Sequence, residues 1–239
     1  MTEESGVLEK IKSRGFWKIE IKPTKYKEKR LSLRDCKEMI KKCQVQNRGW
    51  YYPDISDKTD EFFVGNNYAE GLCDWQEHIE VWRLYQSSQF IHYLSLWEDG
   101  LTDHRDLFGN PTQNSNISAG TILEPIMTLY TLTEVFLFTS RLASNNVFDD
   151  SVSISITLHN TNGRIVKFLQ GLRDTNRDYK CKIDSISIQR TITKEDIIKN
   201  HAEMALDATI EILERFNWHS DTLKQTFAKD QEDFFKKRF

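Results

Sequence analysis

Four prolines and ten glycines in 239 residues leave little material for long flexible linkers. Cysteine is equally sparse. Cys36, Cys43, Cys73 and Cys181 form no C-x-x-C pair, and their spacings match no zinc template. Cys36 and Cys43 would share a helix face but lie too far apart for a disulfide. The expectation is four reduced thiols in a reducing compartment, with no metal site written into the spacing.

Long apolar runs are missing too. A membrane span needs ~20 consecutive apolar residues, and the richest stretch, Ile122 to Phe138, is broken by Glu124, Pro125 and Glu134. Residues Met1 to Ser5 have neither the basic nor the apolar region of a secretory leader. These absences predict a soluble, cytoplasmic protein with no membrane partner. With 12% aromatic residues, the chain carries enough large side chains to offset the entropy of ordering, which excludes a disordered polymer.

The usual catalytic strings are absent or broken. No G-x-G-x-x-G, Walker A or G-x-S-x-G sequence occurs. His104-Arg105-Asp106-Leu107 resembles the opening of the protein-kinase catalytic loop, but Pro111 stands where that loop needs asparagine. Glu20-Ile21-Lys22 resembles half of the PD-(D/E)xK nuclease motif, in which carboxylates hold Mg²⁺ and the lysine assists the attacking water. The other half of the motif is missing upstream. Ser87, Ser88 and His92 are close in sequence without a nucleophile elbow, and His92 among aromatics predicts a buried, hydrogen-bonded histidine.

What the chain does have is an uneven charge layout. Residues 1–48 carry 14 Lys/Arg against 7 Asp/Glu, whereas residues 49–110 carry 3 against 12. The basic segment is dense at Lys22, Lys25, Lys27, Lys29, Arg30 and Arg34, the footprint expected of a phosphate-backbone contact. Opposed basic and acidic segments that neutralise each other within the fold are the competing explanation. Aromatics stand beside further arginines: Arg48 precedes Trp50, Tyr51 and Tyr52, and Arg83 lies between Trp82 and Tyr85. Exposed, such rings would stack bases; alternation allows at most half of them to be exposed.

Periodicity supplies the architecture. Trp17, Ile19 and Ile21 alternate with Lys18, Glu20 and Lys22, which predicts a half-buried strand. Ser32 is placed to cap a helix over Leu33 to Cys43. His78–Tyr85 and Gln89–Trp97 alternate around a short polar link and predict a β-hairpin. Val152 to Leu158 alternates, with Ile165 to Leu169 expected as its returning partner and Ile183 to Ile188 as a further strand bulged near Asp184-Ser185. Thr121 and Glu124 have capping-box spacing ahead of a helix reaching Ala143. Thr193 opens a second long helix, with His201 on its apolar stripe, and Ser220 is expected to cap a last one. Asp54 to Glu61 and residues 99–120 are expected as loops.

The sum is an α+β protein. It has a largely antiparallel or mixed sheet of about seven strands, covered by two long and two or three shorter helices. One domain spans residues 1–239, or two lobes, 1–98 and 121–239, are joined by the polar stretch between them. The functional expectation is a non-catalytic binding or accessory protein whose partner is nucleic acid or a larger protein assembly. The contacting residues are Lys22, Lys25, Lys27, Lys29, Arg30, Arg34, Arg48, Trp50, Arg83 and Tyr85, and no cofactor is needed. The alternative is a Mg²⁺-dependent nuclease or phosphodiesterase using Glu20 and Lys22.

Overall fold

The structure is a computed structural model that describes residues 3–55, 63–100, 118–169, 173–220 and 222–237. The chain runs α1 (Glu3–Lys12), β1 (Phe16–Pro23), α2 (Leu33–Cys43), β2 (Phe63–Val64), β3 (Tyr68–Trp75), β4 (His78–Tyr85) and β5 (Phe90–Ser95). A 3₁₀ turn, Trp97–Gly100, follows. Then come β6 (Ile122–Leu123), α3 (Pro125–Ser144), β7 (Ser151–His159), β8 (Ile165–Val166), β9 (Ser185–Thr193), α4 (Lys194–Glu214) and α5 (Leu223–Phe235). Seven strands make one sheet in the order β2-β3-β4-β5-β1-β7-β9, antiparallel at every pairing. The α+β class read from the sequence is the class observed. The His104-Arg105-Asp106-Leu107 string lies outside the described residues.

Alternation specifies the sheet. Trp17, Ile19 and Ile21 of β1 are buried while Lys18 and Glu20 face outward. The same inner face continues through Trp82 and Leu84 of β4, Phe90 and Leu94 of β5, and Ile154 and Ile156 of β7. α3 packs on it, with the Phe138 ring 4.9 Å from that of Phe90, and α4 packs along α3. α1 covers part of the opposite face, setting Val7 and Ile11 against Phe16, Ile79 and Val81. Gly71 of β3 lies under the Trp82 indole, where a Cβ would stand 2.3 Å from the ring. Only glycine lets the two strands pair with that indole lying flat across them.

Ser32 caps α2 in a full capping box with Asp35, and Thr193 caps α4 through Asp196 N–H. Four local expectations are corrected. β8 does not return along β7, because β1 and β9 already flank it; β8 pairs in parallel with β6. α3 begins at Pro125, with Glu124 rather than Thr121 as N-cap, since Ile122 and Leu123 are drawn into β6. Thr222, not Ser220, precedes α5, and it makes no side-chain cap. Ile183 is exposed and outside β9, which starts at Ser185, so no bulge is required there.

The turn Trp97–Gly100 belongs to the interior. Asp99 and Arg164 form a bidentate ion pair, 3% and 2% exposed, with Nη1 to Oδ1 at 2.7 Å. Asp99 also accepts the backbone N–H groups of Gly15 and Gly120 at 2.6 and 3.0 Å. This tie links β1, the 3₁₀ turn and the segment entering β8. It also fixes one wall of the cleft below.

Candidate functional site

Where β3, β4 and β5 meet, the inner face of the sheet turns polar. His78 and Glu80 share the face of Trp82 and Leu84, and His92 shares that of Phe90 and Leu94. Glu80 is fully buried. Its Oε2 stands 3.2 Å from His78 Nε2 and 3.3 Å from His92 Nε2, and its Oε1 accepts the N–H of Asp54. His92 Nδ1 is 3.2 Å from the Tyr52 hydroxyl, so the expectation of a buried, hydrogen-bonded His92 is met. Burial opposes ionisation of Glu80, but the two imidazoles outweigh it and hold the carboxyl below its ordinary range. Glu80 in turn raises His78 against the opposing effect of burial.

Arg48 enters from the loop after α2, which the Val45–Tyr52 bridge closes. Its Nε donates to Glu134 Oε1 of α3 at 3.0 Å and Nη2 to Oε2. The guanidinium lies 4.8 Å over the Trp50 ring, whose other neighbour is the His78 ring at 5.3 Å. Glu134 has no exposure, and burial raises its carboxyl despite the arginine.

A cleft opens beside this assembly, with about 390 Å³ of space including its open mouth. Arg48 and Trp50 form one side, Glu77 and His78 the turn end of the β3–β4 hairpin, Ser95, Trp97 and Glu98 the opposite side, and Met127, Thr128 and Thr131 of α3 the floor. Glu98 Oε1 accepts the N–H of Glu124, the N-cap of α3, at 3.1 Å. Burial pushes the Glu98 carboxyl up to about 7, and burial with the neighbouring Glu98 charge pushes Glu124 up to about 8. Nine buried side-chain polar atoms lack a hydrogen-bond partner among the described residues. Three of them line this cleft and have no ion-pair partner either: Ser95 Oγ, Trp97 Nε1 and Glu98 Oε2.

The sequence-predicted contact residues divide into three places. Lys22 stands near the end of β1, Lys25, Lys27, Lys29 and Arg30 on the connection to α2, and Arg34 in the first turn of α2. Lys25 pairs with Asp150, and Lys27 and Arg30 with Asp149, so acids outside the 49–110 segment neutralise part of the block. Lys22, Lys29 and Arg34 are exposed. Arg48 and Trp50 belong to the cleft. Arg83 reaches the outer face, pairing with Glu70 over the Tyr68 ring, which lies tilted against Tyr85 at 5.3 Å. Of the remaining aromatics, Tyr52, Trp82 and Phe90 are core and Tyr51 is exposed. Glu20 lies 3.4 Å from Lys18, between Ile91 and Ser155 on the adjoining strands, and Lys22 lies opposite Ser153. Among the described residues, the one group of three or more metal-ligating side chains is Asp54, Cys73 and His78, away from Glu20.

The acids that shape the cleft, Glu80, Glu98, Glu124 and Glu134, did not stand out in the sequence. The phase of β4 carried a signal: with Trp82 and Leu84 facing inward, Glu80 and His78 had to follow them. No helix among the described residues is long and apolar enough to cross a membrane. The chain matches no family model, no curated protein and no solved structure, so its own geometry carries the functional argument.

Proposed function

We propose that this chain is a non-catalytic binding protein for a small, uncharged or cationic polar molecule, taken up in the cleft between Trp50 and Trp97. The observation that carries this reading is the set of three unpartnered buried polar atoms on cleft-lining residues, Ser95 Oγ, Trp97 Nε1 and Glu98 Oε2. Each such atom costs ~1–3 kcal/mol when nothing bonds to it. Occupants that hydrogen-bond to Trp97 Nε1–H and Ser95 Oγ, and to the Glu98 carboxyl, are therefore favoured. Charge selects against anions: Glu77 lines the cleft, while the Arg48 charge is engaged by Glu134.

Titration calorimetry with a panel of amides, nucleosides and primary amines, set against matched carboxylates and phosphates, tests this. The reading predicts saturable binding by neutral or cationic members. Trp97→Phe should weaken it about tenfold, the equivalent of one hydrogen bond at ~1.4 kcal/mol. Binding by anions alone, or by no member, contradicts it.

A second reading keeps the nucleic-acid partner and rests on Tyr26. That ring is 77% exposed and is flanked in sequence by Lys25, Lys27 and Lys29, with Lys22 and Arg34 close along the chain. Such a segment supports stacking of single-stranded bases with lysines on the phosphates. The ion pairs of Lys25 and Lys27 are surface pairs of little strength. Affinity for single-stranded oligonucleotides should fall steeply with salt and drop in Tyr26→Ala. Salt-independent binding, or unchanged binding by the variant, would remove this reading.

A further inference from the structure

We propose that Asp54, Cys73 and His78 form a binding site for a divalent transition-metal ion of the zinc class. The inference does not depend on the cleft ligand. One oxygen, one sulfur and one ring nitrogen from these residues all lie within 4.8 Å of one another. Carboxylate, thiolate and imidazole are the donor types that zinc takes, with bonds of about 2.0–2.3 Å that set neighbouring donor atoms about 3.3–3.6 Å apart. Side-chain rotations of roughly an ångström close that difference.

The backbones that carry the three donors are fixed before any ion arrives. Cys73 stands opposite Glu80, and His78 opposite Trp75, in the β3–β4 register. Asp54 is pinned from both sides, its N–H donating to Glu80 Oε1 and its carbonyl accepting Trp82 Nε1–H at 2.8 Å. The donors come from the two strands of one hairpin, beside its turn, and from the segment that follows Pro53. This arrangement explains why cysteine spacing alone held no zinc signature.

Glu80 supplies the independent observation. It is fully buried, and its Oε2 lies 3.2 Å from His78 Nε2 and 3.3 Å from His92 Nε2. A buried carboxylate beside a ligating histidine is the outer partner that orients the ring and raises its basicity. Asp54 lies within 4.8 Å of the Cys73 sulfur and Glu80 stands opposite Cys73 in the register, a concentration of anionic donors that a divalent cation offsets. On binding, the Cys73 S–H bond breaks, the sulfur keeps the electron pair for the metal, and the proton leaves to solvent. No electron is transferred and no co-reactant is consumed.

The test uses the full chain, freed of metal by chelator and reduced, titrated with Co²⁺ and then Zn²⁺. We expect one ion per chain, a thiolate-to-cobalt charge-transfer band, and its disappearance when Zn²⁺ displaces Co²⁺. Cys73→Ser should abolish the band, and His78→Gln should weaken binding at least tenfold, whereas Cys36→Ser should leave both unchanged. Should Cys73→Ser fail to fold, alkylation of the wild type followed by peptide mass analysis decides the matter. Zn²⁺ must then slow modification of Cys73 and not that of Cys36 or Cys181. A folded wild type without the cobalt band, a band retained in folded Cys73→Ser, or Cys73 alkylation unaffected by Zn²⁺ overturns the proposal.

Discussion

Glu98 Oε1 accepts the backbone N–H of Glu124 at 3.1 Å, which places two buried carboxyl groups in succession at the N-terminus of α3. The helix end favours negative charge there, but burial dominates and both groups favour the protonated form.

The sign of the resulting pH dependence follows from linkage. Glu98, raised to about 7, and Glu124, raised to about 8, hold protons in the folded chain that the unfolded chain releases above its ordinary carboxyl range, near 4.5. Stability from this pair therefore declines as pH rises from about 4.5 to about 8. His78, also raised, contributes in the same direction as pH climbs past 6.5. Glu80, held low, acts oppositely, and its contribution disappears on acidification below 4.5. Urea midpoints should drop between pH 5.5 and 8.5, and Glu98→Gln should reduce the drop. A midpoint that rises over this interval contradicts the assignment.

Breaking the Arg48–Glu134 pair strands a buried charge. Glu134→Leu should cost about 3–5 kcal/mol. The double change Arg48→Met with Glu134→Leu should cost less than either single change, because no unpaired charge remains. Equilibrium denaturation of the four proteins of this cycle measures both quantities.

Asp99 presents the same problem with more partners. Asp99→Ala removes the counter-charge of Arg164 and leaves the N–H groups of Gly15 and Gly120 without their acceptor. A loss of at least ~3 kcal/mol is expected. A loss under 1 kcal/mol by chemical denaturation would show that the tie is dispensable.

Two glycines should respond in opposite ways. Gly71→Ala drives a methyl group into the Trp82 ring and should destabilise by about 1–3 kcal/mol. Gly49→Ala meets nothing within 4 Å and should stay within about 0.5 kcal/mol of the wild type. Paired thermal melts separate them.

The sheet was legible where alternation is clean. β1, β4, β5 and β7 follow from Trp17 to Ile21, His78 to Tyr85, Phe90 to Leu94 and Val152 to Leu158. β3 was missed because Glu70, Gly71 and Asp74 break the apolar pattern, and β3 depends on β4 for its hydrogen bonds. The partner of β8 was misjudged because pairing is decided by which flanks are already taken, a non-local fact. The site was legible in fragments. Arg48 and Trp50 were singled out for their chemistry, although the contact that organises them is with Glu134, 86 residues away. Asp99 was assigned to a polar loop because Arg164, which makes its burial tolerable, lies 65 residues further on. Charge asymmetry misdirects in a similar way, since the lysines after β1 find Asp149 and Asp150 rather than the acidic segment that follows them.

The central claim is that the cleft binds a small neutral or cationic polar molecule through Trp97, Ser95 and Glu98. Nitrogen-15 NMR of the six tryptophan indoles during titration with small polar fragments tests it most directly. The account predicts saturable shifts of the Trp97 Nε1–H resonance, smaller ones at Trp50, and none at Trp75, whose ring lies on the exposed surface. A library that moves no indole, or fragments that bind while the Trp97 resonance stays fixed, would contradict it.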